Sequence, residues 1–392
     1  MKIGILGNSL NMHSGHSKPA FDLAEALAAR GHLVVVISSK VNESAVRARL
    51  KRQNDNILIE TPFDKQILDV ESNARKKSAL VRALKEIDII HTFDYVDPDF
   101  VRRALHRPVP IVYTANKHFR WSLSDVINGG FAGLANLTRL DFQRALLAPS
   151  YLFRKAFNSF DAILCTSNFV KNALVQIGVN LQRICRVPPW LGPPNLETSS
   201  NDGENHAVDF LYFGWGSNIR GVSDLLEAFS RLKRAYPTAT LALHFTGRHG
   251  IEERLLSSQI SSIEDAGVKL QGFNPAILNA VRLARCVVLP FGASFGYAQP
   301  PLTILESMAL GRAIVSTDIA SVPEVISHMQ TGVLVPPRNP ERLARAMAGI
   351  VESDSLAGAL GSNAKKRFED DYAVERVVAQ IERTYLQILA TG

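Results

Sequence analysis

The apolar positions of this chain fall into two alternating patterns. Short continuous apolar runs of strand length are separated by longer segments whose apolar residues recur at helical spacing. That alternation predicts parallel sheets covered by helices. Residues 2–6 open the series as a strand, and residues 17–30 follow as an amphipathic helix that Gly31 stops. Residues 33–38 form the next strand. The runs 57–60, 87–91, 111–114 and 162–166 continue it, and residues 167–177 read as a helix ended by Gly178.

Residues 188–207 break the pattern with four prolines, two glycines and the polar run Thr-Ser-Ser-Asn-Asp-Gly-Glu-Asn-His, the composition of a linker. A second series then begins with strand 210–213. It continues through helix 221–235, strand 241–245, helix 251–266, strand 269–271, helix 275–284 and strand 286–289. A last helix, about 374–389, comes after the second series is complete. The pattern predicts two doubly wound α/β domains, 1–190 and 208–373, with a linker at 191–207. The C-terminal helix, about 374–392, is expected to pack back on the first domain.

A length of 392 residues suits two domains of ordinary size. Cys165, Cys185 and Cys286 are odd in number and lie in or beside apolar runs. They read as buried thiols rather than a disulfide framework or zinc site. The first apolar run is too short for a signal peptide, and no run of 18 apolar residues predicts a membrane helix. The expected compartment is the cytoplasm. Charge is uneven: residues 1–190 carry 26 Lys and Arg against 16 Asp and Glu, and the remainder carries 18 against 21. A basic half points to a membrane surface, a phosphorylated acceptor or nucleic acid, or else to a solvated basic face.

The most informative chemistry lies between Pro300 and Pro337. Pro300 and Pro301 suit the first turn of a helix. Leu302, Leu305, Met308 and Ala309 give that helix an apolar face, and Gly311 ends it. Residues 313–315 then read as a buried strand ending in polar Ser316-Thr317-Asp318. A helix that starts beside strand ends offers N–H groups and a positive dipole end to a diphosphate. Glu306, one turn in, is placed to accept hydrogen bonds from ribose hydroxyls. This stretch, with Val322-Pro323-Glu324-Val325-Ile326 and Thr331-Gly332, resembles the nucleotide-sugar-binding segment of retaining glycosyltransferases of family 4. The resemblance covers nearly the whole chain, most strongly from 210 to 347. It implies the GT-B fold: two Rossmann-like doubly wound domains facing each other across a cleft, with the donor on the C-terminal one and the acceptor on the N-terminal one.

The family carries Glu-x7-Glu. Its second Glu maps onto Glu306 and its first onto Ala298, beside Gln299. The family's Gly-Phe-Gly is Gln299-Pro300-Pro301 here. Proline has no N–H to give a phosphate, which leaves Leu302 and Thr303 as backbone donors, with the Thr303 hydroxyl. The run Phe213-Gly214-Trp215-Gly216-Ser217-Asn218-Ile219-Arg220-Gly221 resembles the loop that holds an Arg and a Lys against the donor diphosphate. Arg220 takes the Lys position and Trp215 the Arg position. Arg248 is a candidate replacement cation, or a surface loop charge. In the first βα loop Gly15 lets backbone approach a sugar phosphate. His13 or His16 faces the cleft, or both are exposed turn residues. Asn116 aligns with a family His that contacts sugar or acceptor, and His118 lies two residues later. His91, Asp94 and Asp97 stand either as ligand groups or as strand-end caps. Residues 134–160 mix Arg139, Arg144, Arg154 and Lys155 with apolar residues, as either a lipid-facing surface or an ordinary helix pair.

The expectation is a retaining, metal-independent glycosyltransferase of the hexosyltransferase type with Arg220 and Glu306 as its catalytic residues. It needs no cofactor and takes a UDP- or GDP-linked sugar as substrate. An anionic or lipid-linked glycan acceptor, a place in cell-envelope or extracellular polysaccharide or glycolipid synthesis, and peripheral contact with the inner membrane face go with it. Nucleic acid is not expected. The competing readings are a GT-B protein that binds nucleotide or glycan without transfer, and a nucleotide-sugar epimerase or hydrolase.

Overall fold

The computed structural model describes residues 1–7, 17–39, 43–50, 56–63, 74–115, 150–194, 207–245, 260, 267–272, 274, 276–293 and 300–391. They form two compact units. The first takes residues up to 115, residues 150–192 and residues from Tyr372 onward; the second takes the rest up to Asp371.

In the first unit, strands β1 (Lys2–Leu6), β2 (Leu33–Ser39), β3 (Ile57–Phe63), β4 (Ile89–Thr92), β5 (Ile111–Ala115), β6 (Ala162–Cys165) and β7 (Ile184–Arg186) lie parallel in the order β3-β2-β1-β4-β5-β6-β7. Helices α1 (Lys18–Ala29), α2 (Glu43–Leu50), α3 (Ala74–Leu84), α4 (Pro98–Leu105), α5 (Ser150–Asn158) and α6 (Asn168–Gln176) connect them. β2 is buried nearly throughout, as a parallel strand covered on both faces must be. Gly31 and Gly178 follow α1 and α6 at φ 85° and 84°, a backbone shape that ends a helix and suits glycine.

The last helix of the chain spans Val374–Thr391 and packs on this unit. Val377, Val378, Ile381 and Tyr385 of this helix are buried in one core with Phe21, Leu27 and Trp190. Each such side chain contributes about 1.5–3 kcal/mol. Glu382 joins Arg30 at 2.5 Å and His32 at 2.6 Å. Burial pushes the Glu382 carboxyl up, but the bonds from Arg30 and His32 outweigh it and hold it below its ordinary range.

His91 differs from the sequence expectation. The strand begins two residues later and ends one residue later than the apolar run 87–91, so His91 lies inside β4, and it is fully buried. Its Nδ1 is 2.5 Å from Tyr385 Oη and its Nε2 is 2.6 Å from Thr114 Oγ1. It is a structural link between sheet and last helix. Asp97 is a cap: its carboxylate accepts from Asp99 N at 2.9 Å and starts α4.

In the second unit β8 (Val208–Gly214), β9 (Leu241–Phe245), β10 (Val268–Gln271), β11 (Ala284–Leu289), β12 (Ala313–Thr317) and β13 (Val333–Val335) lie parallel in the order β10-β9-β8-β11-β12-β13. The helices are α7 (Val222–Ala235), α8 (Ile277–Leu283), α9 (Leu302–Ala309), α10 (Val322–Val325), α11 (Pro340–Glu352) and α12 (Asp354–Arg367); the last helix of the first unit is α13. The expected helix 251–266 lies outside the described residues except Ile260. α12 packs close to the turn before β12 because Gly361 faces Gly311: a Cβ there would stand 2.2 Å from the Gly311 carbonyl oxygen. Among the described residues no helix is long and apolar enough to cross a membrane.

Burial lowers the His91 pKa from 6.5 to about 3. Below pH 6.5 the unfolded chain binds a proton that the folded protein refuses, so stability falls with pH in the window from 6.5 to 3. The slope from this residue approaches 1.4 kcal/mol per pH unit. Urea unfolding at pH 7.5 and pH 5 should show a larger loss in the wild type than in His91→Gln.

Candidate functional site

Loops that follow parallel strands gather at the carboxyl ends, and a crevice opens where the strand order reverses. In the second unit the reversal lies between β8 and β11. The loop after β8 runs through Gly214 to Gly221, and the loop after β11 through Pro290 to Ala293.

The two loops meet backbone to backbone. Gly221 has φ 75°, and a Cβ on it would stand 1.7 Å from the Pro290 carbonyl oxygen. Gly292 N donates to Ile219 O at 2.8 Å. Within the first loop Arg220 N donates to Ser217 O at 3.1 Å, and Tyr212 Oη donates to Trp215 O at 2.5 Å. Gly216 lies on the Phe245 ring, where a Cβ would approach to 2.8 Å. Trp215 is thus carried on a fixed loop although its side chain is 61% exposed. The Arg220 guanidinium lies 5.7 Å from the Trp215 ring centroid and 5.6 Å from that of Phe291. Cation–π contacts of this kind are worth about 0.5–2 kcal/mol.

α9 begins at Leu302, after Pro301 at the N-cap, without a side-chain cap. Leu302, Thr303 and Glu306 are half-buried, while Ile304, Leu305 and Met308 face the core. Leu302 therefore stands outside the buried face that the sequence spacing assigned to it. Thr303 Oγ1 is buried and has no hydrogen-bond partner among the described residues; a buried hydroxyl left unpaired costs about 1–3 kcal/mol. β12 extends through Ser316 and Thr317, which the sequence reading placed in the polar run that ends the strand. Both are buried. Ser316 Oγ donates to Leu289 O and Thr317 Oγ1 to Phe291 O, each at 2.7 Å. These hydroxyls fix the end of β11 and hence the floor beneath Arg220.

Phe291 and a second arginine were missed by sequence reasoning. Arg338, at φ 56°, donates from Nε to Gly292 O at 3.2 Å and lies 3.5 Å from Asp224 in the first turn of α7. Burial raises the Asp224 carboxyl pKa and the charge of Arg338 opposes the rise. The available signal was the Pro290-Phe291-Gly292 run at a strand end, but nothing in the sequence tied it to Arg338.

The structure thus brings Gly214, Trp215 and Arg220 together on one loop and sets Leu302, Thr303 and Glu306 on α9. His13, Gly15, His16, Asn116, His118, Arg248, Ala298 and Gln299 lie outside the described residues. So do residues 134–149 of the basic segment; in its described part Phe157 and Phe160 are buried. Among the described residues no three His, Cys, Asp or Glu side chains form a metal-ligating set. The three cysteines are free, and burial pushes the Cys165 and Cys286 thiols up to about 12.

Residues 207–353 match the family model described as Glycosyl transferases group 1, and residues 14–191 match that described as Glycosyltransferase Family 4. The chain is similar to the lipopolysaccharide core biosynthesis mannosyltransferase LpcC of Rhizobium leguminosarum bv. viciae. The two are 35% identical over 271 residues, which cover 65% of this chain and 74% of LpcC. It is also similar to glycogen synthase of Mycobacterium tuberculosis, 22% identical over 307 residues that cover 76% of this chain and 68% of that protein. Among solved structures, Anabaena HepE in complex with UDP-glucose superposes with a TM-score of 0.74 at 18% identity, covering 99% of this chain and 100% of that one.

Gly221→Ala should destabilise the protein by more than about 2 kcal/mol, because the added carbon meets the Pro290 carbonyl at a positive φ. Gly358→Ala, in α12 with nothing within 4 Å, should instead stabilise it by about 0.5–1 kcal/mol. Denaturant titration of both variants checks the contrast.

Proposed function

The chain belongs to the family 4, group 1 glycosyltransferases, with their GT-B fold, and on that premise we propose that it is a retaining enzyme. It moves a hexose from a nucleotide-diphosphate sugar to an acceptor hydroxyl. The observation that carries the reading is the placement of Arg220 at the strand-order reversal of the second sheet, on the loop held against the end of β11.

In the proposed reaction the bond from the anomeric carbon to the donor phosphate oxygen breaks. The acceptor oxygen bonds to the same carbon on the same face, and its proton passes to the departing phosphate oxygen. Charge builds on the nucleoside diphosphate as the bond breaks, so a fixed cation lowers the barrier. Arg220 supplies that cation through a bidentate fork, and the N–H groups of Leu302 and Thr303 supply the positive end of α9. Glu306 accepts from the ribose hydroxyls. This division of labour calls for no metal and no cofactor.

A UDP- or GDP-linked donor is the substrate we assign; HepE, whose fold is shared, is described in complex with UDP-glucose. The name of LpcC supports a role in cell-envelope polysaccharide or glycolipid synthesis. The basic first half then recognises an anionic or lipid-linked glycan acceptor at the inner face of the membrane.

A thermal-shift screen against UDP, GDP, ADP, TDP and CMP tests the donor site. One nucleotide should stabilise the wild type, by about 2.7 kcal/mol at a hundredfold excess over its Kd. Arg220→Ala and Glu306→Ala should lose most of that shift. Stabilisation by none of the five would move a non-transferring protein to the front. Consumption of donor without any acceptor would favour an epimerase or hydrolase.

A further inference from the structure

Resting on the assignment of Arg220 to the donor diphosphate, we propose that Trp215 is a positioning residue that clamps Arg220 in its phosphate-binding orientation. A tryptophan that is 61% exposed is uncommon in a folded domain. Here the exposure is built in. Tyr212 holds the Trp215 carbonyl from one side, and Gly216, pressed on Phe245, fixes the next residue. The Trp215 ring meets the Arg220 guanidinium, which has the Phe291 ring as another aromatic neighbour at a nearly equal distance.

A guanidinium is flat. Its faces stack on aromatic rings, and its edge carries the N–H donors that pair with phosphate oxygens. Aromatic contacts therefore restrain the head without using the donors. The resemblance places a second cation at position 215, so tryptophan there lowers the positive charge of the site. A restrained Arg220 offsets that loss because less side-chain freedom is lost when the phosphate binds. Lysine at 220 keeps the charge but has no flat face to clamp, so Arg220→Lys is not conservative at this position.

The test is calorimetric binding of UDP and GDP to the wild type, Trp215→Ala, Trp215→Phe, Arg220→Lys and the double variant Trp215→Ala/Arg220→Lys, with donor kinetics on each. Trp215→Ala should weaken diphosphate binding about three- to tenfold. It should lower kcat/KM by at least as much, with an unchanged Tm. Trp215→Phe should restore most of the loss. In the Arg220→Lys background the further loss of Trp215 should cost less than twofold, since the two residues act as one unit. Wild-type binding that Trp215→Ala leaves unchanged overturns the proposal and leaves the donor site standing. Equal losses in both backgrounds also overturn it, because Trp215 then touches the nucleotide independently of Arg220. Failure of the wild type to bind either nucleotide overturns the donor-site assignment and the proposal with it.

Discussion

The second unit is organised around one close approach. The loop after β8 and the loop after β11 touch at Gly221 and Pro290, where no side-chain carbon fits, and the Gly292-to-Ile219 hydrogen bond locks the contact. Parallel strands on either side of an order reversal send their connections apart. The backbone contact keeps the two loops together at their base. Arg220 stands one residue before Gly221 and beside Phe291, so its position follows directly from the contact. The hydroxyls of Ser316 and Thr317 and the Asp224–Arg338 pair brace the same segment from β12, α7 and the turn after β13.

The first unit is held differently. Its sheet is closed onto the last helix by a buried polar chain, Thr114–His91–Tyr385, inside an apolar core. Buried polar groups are costly unless paired, and both nitrogens of His91 are paired. Asp22, also buried, accepts from Gly192 N at 2.7 Å and from Arg49 at 2.8 Å. Burial raises its pKa although Lys18 and Arg49 oppose the rise. These interactions join segments far apart in the chain.

That distance explains what could be read from the amino-acid order. The alternation of apolar runs and helical spacing located β1, α1, β8, α7, α9 and β12 to within a few residues, because those patterns are local. The motifs marked Arg220 and Glu306 as candidates, and the structure puts Arg220 at the sheet's reversal. His91, open in the sequence between a ligand group and a strand-end cap, is instead a buried link, and that was not legible because its partner Tyr385 is 294 residues away. Phe291 and Arg338 stayed hidden for the same reason: a cation–π contact and a carbonyl bond across the sheet leave no periodic trace. The surplus of basic residues in the first half was plain, but charge alone names no partner.

The central claim is that the strand-order reversal of the second sheet is a diphosphate site centred on Arg220. A crystal structure of the complex with UDP or GDP tests it most directly. The account predicts phosphate oxygens within hydrogen-bond reach of the Arg220 guanidinium and of the first N–H groups of α9, with the ribose at Glu306. A nucleotide bound elsewhere, with Arg220 untouched, would contradict it.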